Sequence, residues 1–284
     1  MSHPTLAPEP DTDADARFRN WMRLNLAQAA EEFGLSVTGV PVFGWRLRSI
    51  GAVAHGPSGA CWLRVVSEQP RWATGEFWTG NQDANALTGL PKPVVLASTE
   101  WDEAGWRSQR AEVMTLLPGE PCSPSDVLRT EVELPQRWYR ELRCSLRCLA
   151  SIHTTRITVT QTRVTGLIRA AFGRHRNLQI NRWETVHGDL HWGNLLQPRL
   201  GILDWEMWGK GPAGTDVATL YCYSLLNSDI SRRVHGEFAD ILDSPEGITA
   251  QLWVAARLLK RIRKSGDFPD LEAPLRNHSE TLIS

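Results

Sequence analysis

Asp189, Asn194 five positions later and Asp204 ten positions after that are the residues of this chain whose types and spacing point to a reaction. They sit in His187-Gly188-Asp189-Leu190-His191-Trp192-Gly193-Asn194 and in Ile202-Leu203-Asp204-Trp205-Glu206. In phosphoryl transfer one carboxylate orients the attacking hydroxyl, while an amide and a second carboxylate hold magnesium on the nucleotide phosphates. A hard cation takes oxygen donors, so Asn194 and Asp204 are the expected metal ligands and Asp189 the expected catalytic residue. Asp and Asn also cap turns in ordinary loops, but that role does not require this order and spacing. The alternation of His187, Asp189 and His191 admits a zinc reading as well. Zinc needs further ligands at compatible spacing, and the sequence offers no strong second cluster.

The elements that must position these residues fall into two groups. Phe18, Trp21, Met22, Leu26, Ala29 and Phe33 recur at helical spacing from Asp13 to Glu32, with Gly34 as a stop. Ile50–His55 and Ala60–Val66 flank Gly56-Pro57-Ser58-Gly59, which predicts a hairpin. A helix over Glu76–Leu87 and strands at Pro93–Leu96 and Ala111–Leu117 complete the front of the chain. Pro121 to Pro135 reads as a linker, after which helical periods appear at Gln136–Ile152, Gln161–Phe172, Thr215–Leu226, Arg232–Leu242 and Pro245–Lys264. Ser244-Pro245-Glu246 is a good start for the last of these. The expected fold class is α+β in two lobes: residues 1–12 a disordered tail, 13–118 a small β-rich N-lobe, and 119–284 a larger, mostly helical C-lobe.

Composition narrows the function classes. The formal net charge of −1 gives no electrostatic reason for a nucleic-acid partner. No apolar run is long enough to span a bilayer, and Ser2–Ala16 lacks the apolar core of a signal peptide. Five scattered cysteines read as reduced thiols of a cytoplasmic protein rather than a disulfide framework. Cys144 and Cys148, one helical turn apart, read as packed small residues. Only four residues are lysine, at positions 92, 210, 260 and 264.

With these residues in view, the Asp-x-x-x-x-Asn spacing matches the protein-kinase catalytic loop. His-Gly-Asp-Leu-His-x-Gly-Asn followed by Leu-Asp-Trp-Glu resembles the aminoglycoside phosphotransferase family, most strongly from Thr185 to Tyr223. The resemblance implies a protein-kinase-like fold with nucleotide in a cleft between the lobes, ATP or GTP with Mg2+ as cofactors, and a small-molecule hydroxyl as acceptor. It makes Asp189 the catalytic base. It also raises two readings for His191, approach to the transferred phosphoryl group or loop packing. His187 would brace the loop. Trp192 stands where the family has proline, Glu206 would lie near the metal or face solvent, and Asp216 would brace the catalytic loop.

The front lobe departs from the pattern. A kinase holds the α- and β-phosphates with a strand lysine paired to a helix acid, and here Arg64 occupies that place with Glu76 or Asp83 as candidate partner. Arginine is longer, planar and permanently charged, yet binds phosphate bidentately. Gly44–Gly51 stands where a phosphate loop would lie but lacks its glycines, leaving Arg46 and Arg48 as side-chain candidates or plain strand-end residues. Val113, Met114 and Thr115 resemble the hinge whose backbone binds adenine. The alternative to an enzyme is a pseudokinase-like nucleotide-binding or scaffold protein without turnover, because Arg64 replaces lysine. From Ala213 onward there are ten acids against eight bases, so no acidic bias marks a polycation site.

Overall fold

Phe18, Trp21, Met22, Leu26 and Ala29 gather on one side of α1 (Asp13–Glu32), and the chain leaves it through Gly34 at φ +63°. That left-handed turn is open to glycine without a Cβ penalty. The structure is a computed structural model describing residues 13–173 and 179–284, so the expected tail at residues 1–12 lies outside the described residues. Strands β1 (Ser36–Val37) and β2 (Val42–Phe43) precede the expected hairpin of β3 (Ser49–Gly56) and β4 (Gly59–Glu68). After α2 (Glu76–Asp83) a second hairpin follows, β5 (Val95–Glu103) with β6 (Arg107–Thr115).

These strands form one antiparallel sheet in the order β1-β3-β4-β6-β5, with β2 also on β3. Cys61, Leu63 and Val65 alternate along β4 toward a core of Met22, Leu26, Ala29, Ile50, Ala52 and Ala111. Burying apolar side chains of this size stabilises by roughly 1.5–3 kcal/mol each. The period of two turns Arg64 to the other face, where it stands opposite Gly51 and Glu112.

The helical part comprises β7 (Glu120–Pro121), α3 (Gln136–Ser151), α4 (Gln161–Phe172), β8 (Trp183–Val186), β9 (Leu196–Gln197), β10 (Gly209–Pro212), α5 (Thr215–Cys222), α6 (Ser228–Leu242), α7 (Pro245–Ser265) and α8 (Glu272–Ile283). Helix α7 is its central post: Ala250, Val254, Ala255 and Ala256 are buried and it packs on α4, α5, α6 and α8. As the sequence predicts, Ser244 caps it, accepting from the Gly247 N–H at 3.0 Å. Residues 122–135 carry no helix or strand, yet Val127 and Leu128 are buried in the core, so this stretch is packed rather than a free linker.

The chain divides into two compact units. One takes the described residues up to Trp78 together with Val94–Leu116; the other takes Thr79–Pro93 and Leu117–Ser284. Residues 79–93, assigned to the N-lobe from sequence, cluster with the helical unit. Their bonds explain it. Asn81 Oδ1 accepts from the Trp205 N–H at 2.8 Å, Gly80 O accepts from Trp208 Nε1 at 2.9 Å, and Pro91 O accepts from the Ile202 N–H at 2.7 Å.

Candidate active site

The loop bearing Asp189 begins where β8 leaves its two-stranded pairing with β10. The carboxylate of Asp216, in the first turn of α5, accepts the backbone N–H groups of His187 at 2.7 Å and Gly188 at 2.9 Å. Burial pushes the Asp216 carboxyl up to about 7, against these two hydrogen bonds, which favour the anion. Gly188 is at φ +84°, and a Cβ there would lie 2.5 Å from Met207 O, so no other residue fits.

His187 is fully buried and both ring nitrogens are engaged: Nδ1 accepts the Asp189 N–H at 3.3 Å and Nε2 donates to Leu203 O at 2.9 Å. Its ring edge meets Trp205 with centroids 4.7 Å apart. Desolvation lowers its pKa to about 4, so it is a neutral brace between the two segments of the site. The zinc reading falls here, because no lone pair of His187 is left for a metal. Among the described residues no group of three or more His, Cys, Asp or Glu is arranged to hold a metal ion.

Asn194 and Asp204 are brought together by a turned-back segment. The Leu203 N–H donates to Asn194 O at 2.8 Å, and Leu195 bridges to Ile202. Asn194 Nδ2 donates to Asp189 O at 3.1 Å, which leaves Oδ1 as the side chain's remaining acceptor. Asp204 is left-handed at φ +57°, a conformation Asp tolerates better than most residues. An amide oxygen and a carboxylate suit Mg2+, which completes its shell with water and phosphate oxygens rather than an all-protein cage.

His191 stands between two acids, with Nε2 3.7 Å from both Asp126 Oδ1 and Asp189 Oδ2. Trp192, in the place of the family's proline, is fully buried: its indole stacks on Trp138 and donates to Ser224 Oγ at 2.9 Å. Glu206 is buried rather than facing solvent, and Arg156 donates to its carbonyl at 2.8 Å.

Four residues around this loop were not expected from the sequence, Arg257, Arg261, Asp126 and Asp267. Arg257 donates to Gly188 O at 2.8 Å and its NH2 lies 3.8 Å from Asp189 Oδ1. Arg261, one turn on, ties Asp126 at 2.7 Å and Asp267 at 2.9 Å. The available signal was that 257 and 261 continue the stripe set by Ala250 and Val254 on α7, where an arginine must reach a partner.

In the sheet unit, Arg64 pairs with Glu112 of β6 at 3.3 Å, and Glu112 is also held by Arg110 at 3.1 Å. The suggested Asp83–Arg64 pair is corrected. Asp83 is taken by Arg156 at 2.9 Å and by the Thr79 hydroxyl at 2.7 Å. The expected adenine edge is corrected too: β6 is an interior strand, so the backbones of Val113 and Met114 pair with β4 and β5, and the Thr115 N–H goes to Val94 O. Arg48 pairs with Glu68 at 3.2 Å, and the Arg46 guanidinium lies over the Trp45 ring.

Comparison with known proteins now bears on this geometry. Residues 167–259 match the phosphotransferase enzyme family. The matched span of the phosphotransferase family holds Asp189, Asn194, Asp204, Asp216 and Arg257. Among solved structures, a thermostable mutant of aminoglycoside phosphotransferase APH(4)-Ia is similar at TM-score 0.63 and 14% identity, over 91% of this chain and 97% of that one. Amicoumacin kinase hAmiN in complex with AMP-PNP, Ca2+ and Ami is similar at TM-score 0.56 and 11% identity, over 96% of both chains. Spectinomycin phosphotransferase APH(9)-Ia in complex with ADP and spectinomycin is similar at TM-score 0.52 and 11% identity, over 92% and 93%. At these identities the likeness is one of fold, the α+β fold of small-molecule kinases. No curated protein matches the chain.

Proposed function

We propose that this protein transfers the terminal phosphate of ATP or GTP to a hydroxyl of a small molecule. The observation that carries the reading is the tie between the two segments: the Leu203 N–H donates to Asn194 O and Asn194 Nδ2 is spent on Asp189 O, which keeps Oδ1 for a cation, while the Asp189 side chain stays one-third exposed. Asp189 accepts the acceptor's hydroxyl proton as that oxygen forms its bond to phosphorus and the bond to the departing nucleoside diphosphate breaks. Magnesium held by Asn194 and Asp204 would neutralise the phosphate charge. His187, Asp216 and Arg257 fix the loop, so the chain contributes mainly positioning. The nucleotide complexes among the similar folds support ATP as donor. Among the described residues no helix is long and apolar enough to cross a membrane. The free thiols suit the reducing cytoplasm, where we place the reaction.

A binding protein without turnover is the second reading, and the Arg64–Glu112 pair favours it, since a guanidinium already held by a buried carboxylate is less available to phosphate. Titration with ATP and GTP, with and without magnesium, separates the two. Magnesium-dependent binding lost in Asp204→Ala, together with transfer that drops at least about 100-fold in Asp189→Ala while nucleotide still binds, supports the enzyme. Full activity in Asp189→Ala sinks it. Nucleotide binding without transfer in either the native protein or Arg64→Lys supports the binding protein.

A further inference from the structure

Beside Asp189 the charges are distributed in a way that bears on the acceptor. Asp126 and Asp267 share the single guanidinium of Arg261, and Asp270 is paired with Arg129 at 2.9 Å. A polycationic acceptor approaching Asp189 would therefore find neighbouring carboxylates already in ion pairs. Arg257 is different. Its NH1 donates to Gly188 O and its NH2 reaches Thr219 Oγ1 only at 3.4 Å, while the 3.8 Å to Asp189 exceeds hydrogen-bond length. Nε has no partner among the described residues. The side chain is about as exposed as that of Asp189, at 26% against 33%.

We infer that Arg257 is a specificity-determining residue and that the acceptor is an anionic hydroxy compound, with a carboxylate or phosphate close to the hydroxyl that Asp189 orients. The inference rests on the reading of Asp189 as the catalytic base. With Arg257 NH2 3.8 Å from Asp189 Oδ1, an oxyanion on the carbon adjacent to a hydroxyl bound to Asp189 can come within hydrogen-bond reach of the guanidinium, about 3 Å. The planar fork suits either oxyanion, and the Gly188 bond holds it in place before the acceptor arrives.

The test uses one skeleton with its charge varied: glycerol, glycerate, glycerol 3-phosphate and 3-amino-1,2-propanediol. Each is titrated calorimetrically into the full-length protein with magnesium and a non-hydrolysable ATP analogue, and ester formation with ATP is followed separately. An anionic member should bind about tenfold or more tighter than the neutral and amino members, the scale of one charge-assisted hydrogen bond. Glycerate against glycerol 3-phosphate tells carboxylate from phosphate. Arg257→Gln should erase the preference, and Arg257→Lys should keep part of it while retaining the charge. Equal or tighter binding of the neutral or amino members, a preference that survives in Arg257→Gln, or no measurable binding of either anion overturns the inference. Arg257-dependent anion binding without ester supports the inference while refuting transfer. Ester formed from neutral or amino members independently of Arg257 does the reverse.

Discussion

Replacing His187 by Gln and, separately, Asp216 by Asn should tilt the dependence of stability on pH in opposite directions. Burial lowers the His187 pKa to about 4 from an unfolded value of 6.5. Its stabilising contribution is complete above the unfolded value. As pH falls below it, the unfolded chain takes a proton that the folded chain refuses, and stability drops by about 1.4 kcal/mol per pH unit. The limb closes near the folded value, after a loss of roughly 3 kcal/mol. Burial raises Asp216 from 3.8 to about 7, so there the folded chain takes the proton first. Its contribution is complete below the unfolded value, is lost as pH rises through the folded one, and amounts to roughly 4 kcal/mol. Between about pH 6.5 and 4 the two limbs run against each other and nearly cancel in the native protein. Urea unfolding followed by tryptophan fluorescence at about pH 7 and about pH 4.5 reads the difference between variants, which removes the carboxylates common to all. His187→Gln should gain roughly 3 kcal/mol on the native protein as pH falls through that window, and Asp216→Asn should lose a similar amount. Three parallel profiles would refute the account of two opposed buried groups bracing one loop.

Arg156 donates to the carbonyls of Glu206 and Trp208 and pairs with Asp83, so Arg156→Met should cost about 3–5 kcal/mol in urea unfolding and raise the KM for magnesium–ATP. Unchanged stability would mean that the segment after Asp204 is held by other contacts. Lys92 is 7% exposed, its ammonium meets only Pro93 O at 3.3 Å among the described residues, and burial lowers its pKa. A depressed lysine costs stability at neutral pH and recovers it as pH rises, so Lys92→Met should stabilise by about 1–2 kcal/mol at pH 7, read as a higher Tm. A lower Tm would show that the ammonium is needed there. Gly188→Ala must leave φ +84° or push Met207 O from 2.5 Å. It should lower kcat more than nucleotide affinity, because the displaced backbone carries Asp189. Equal loss in both would mean general unfolding instead.

The candidate loop stands out in the sequence because phosphoryl transfer needs a few residue types at close, fixed spacing. Asp189, Asn194 and Asp204 lie within sixteen residues, and one turned-back segment joins them. Arg257, Arg261 and Asp126 were not legible, since their roles depend on packing α7 and the 122–135 stretch beside the loop. Asp83 was misassigned for the same reason: spacing put it on the right helix, while only three-dimensional structure shows that the end of α2 pairs with Arg156. Strand β5 extends to Glu103, well past the expected Leu96, because its polar, partly exposed sheet-edge residues weaken the apolar pattern. Helix α8 was absent from the sequence reading. Its apolar residues are few and Pro274 lies near its start, a position helices tolerate.

Trp192 does more than fill the space of a proline. Its ring lies nearly parallel to that of Trp138, at 12°, and its N–H needs the hydroxyl of Ser224. Positions 138, 192 and 224 therefore form one packed unit. Proline at position 192 would leave Trp138 without its stacking partner and Ser224 without its donor. One indole thus fastens the candidate loop to α3 on one side and to the segment after α5 on the other.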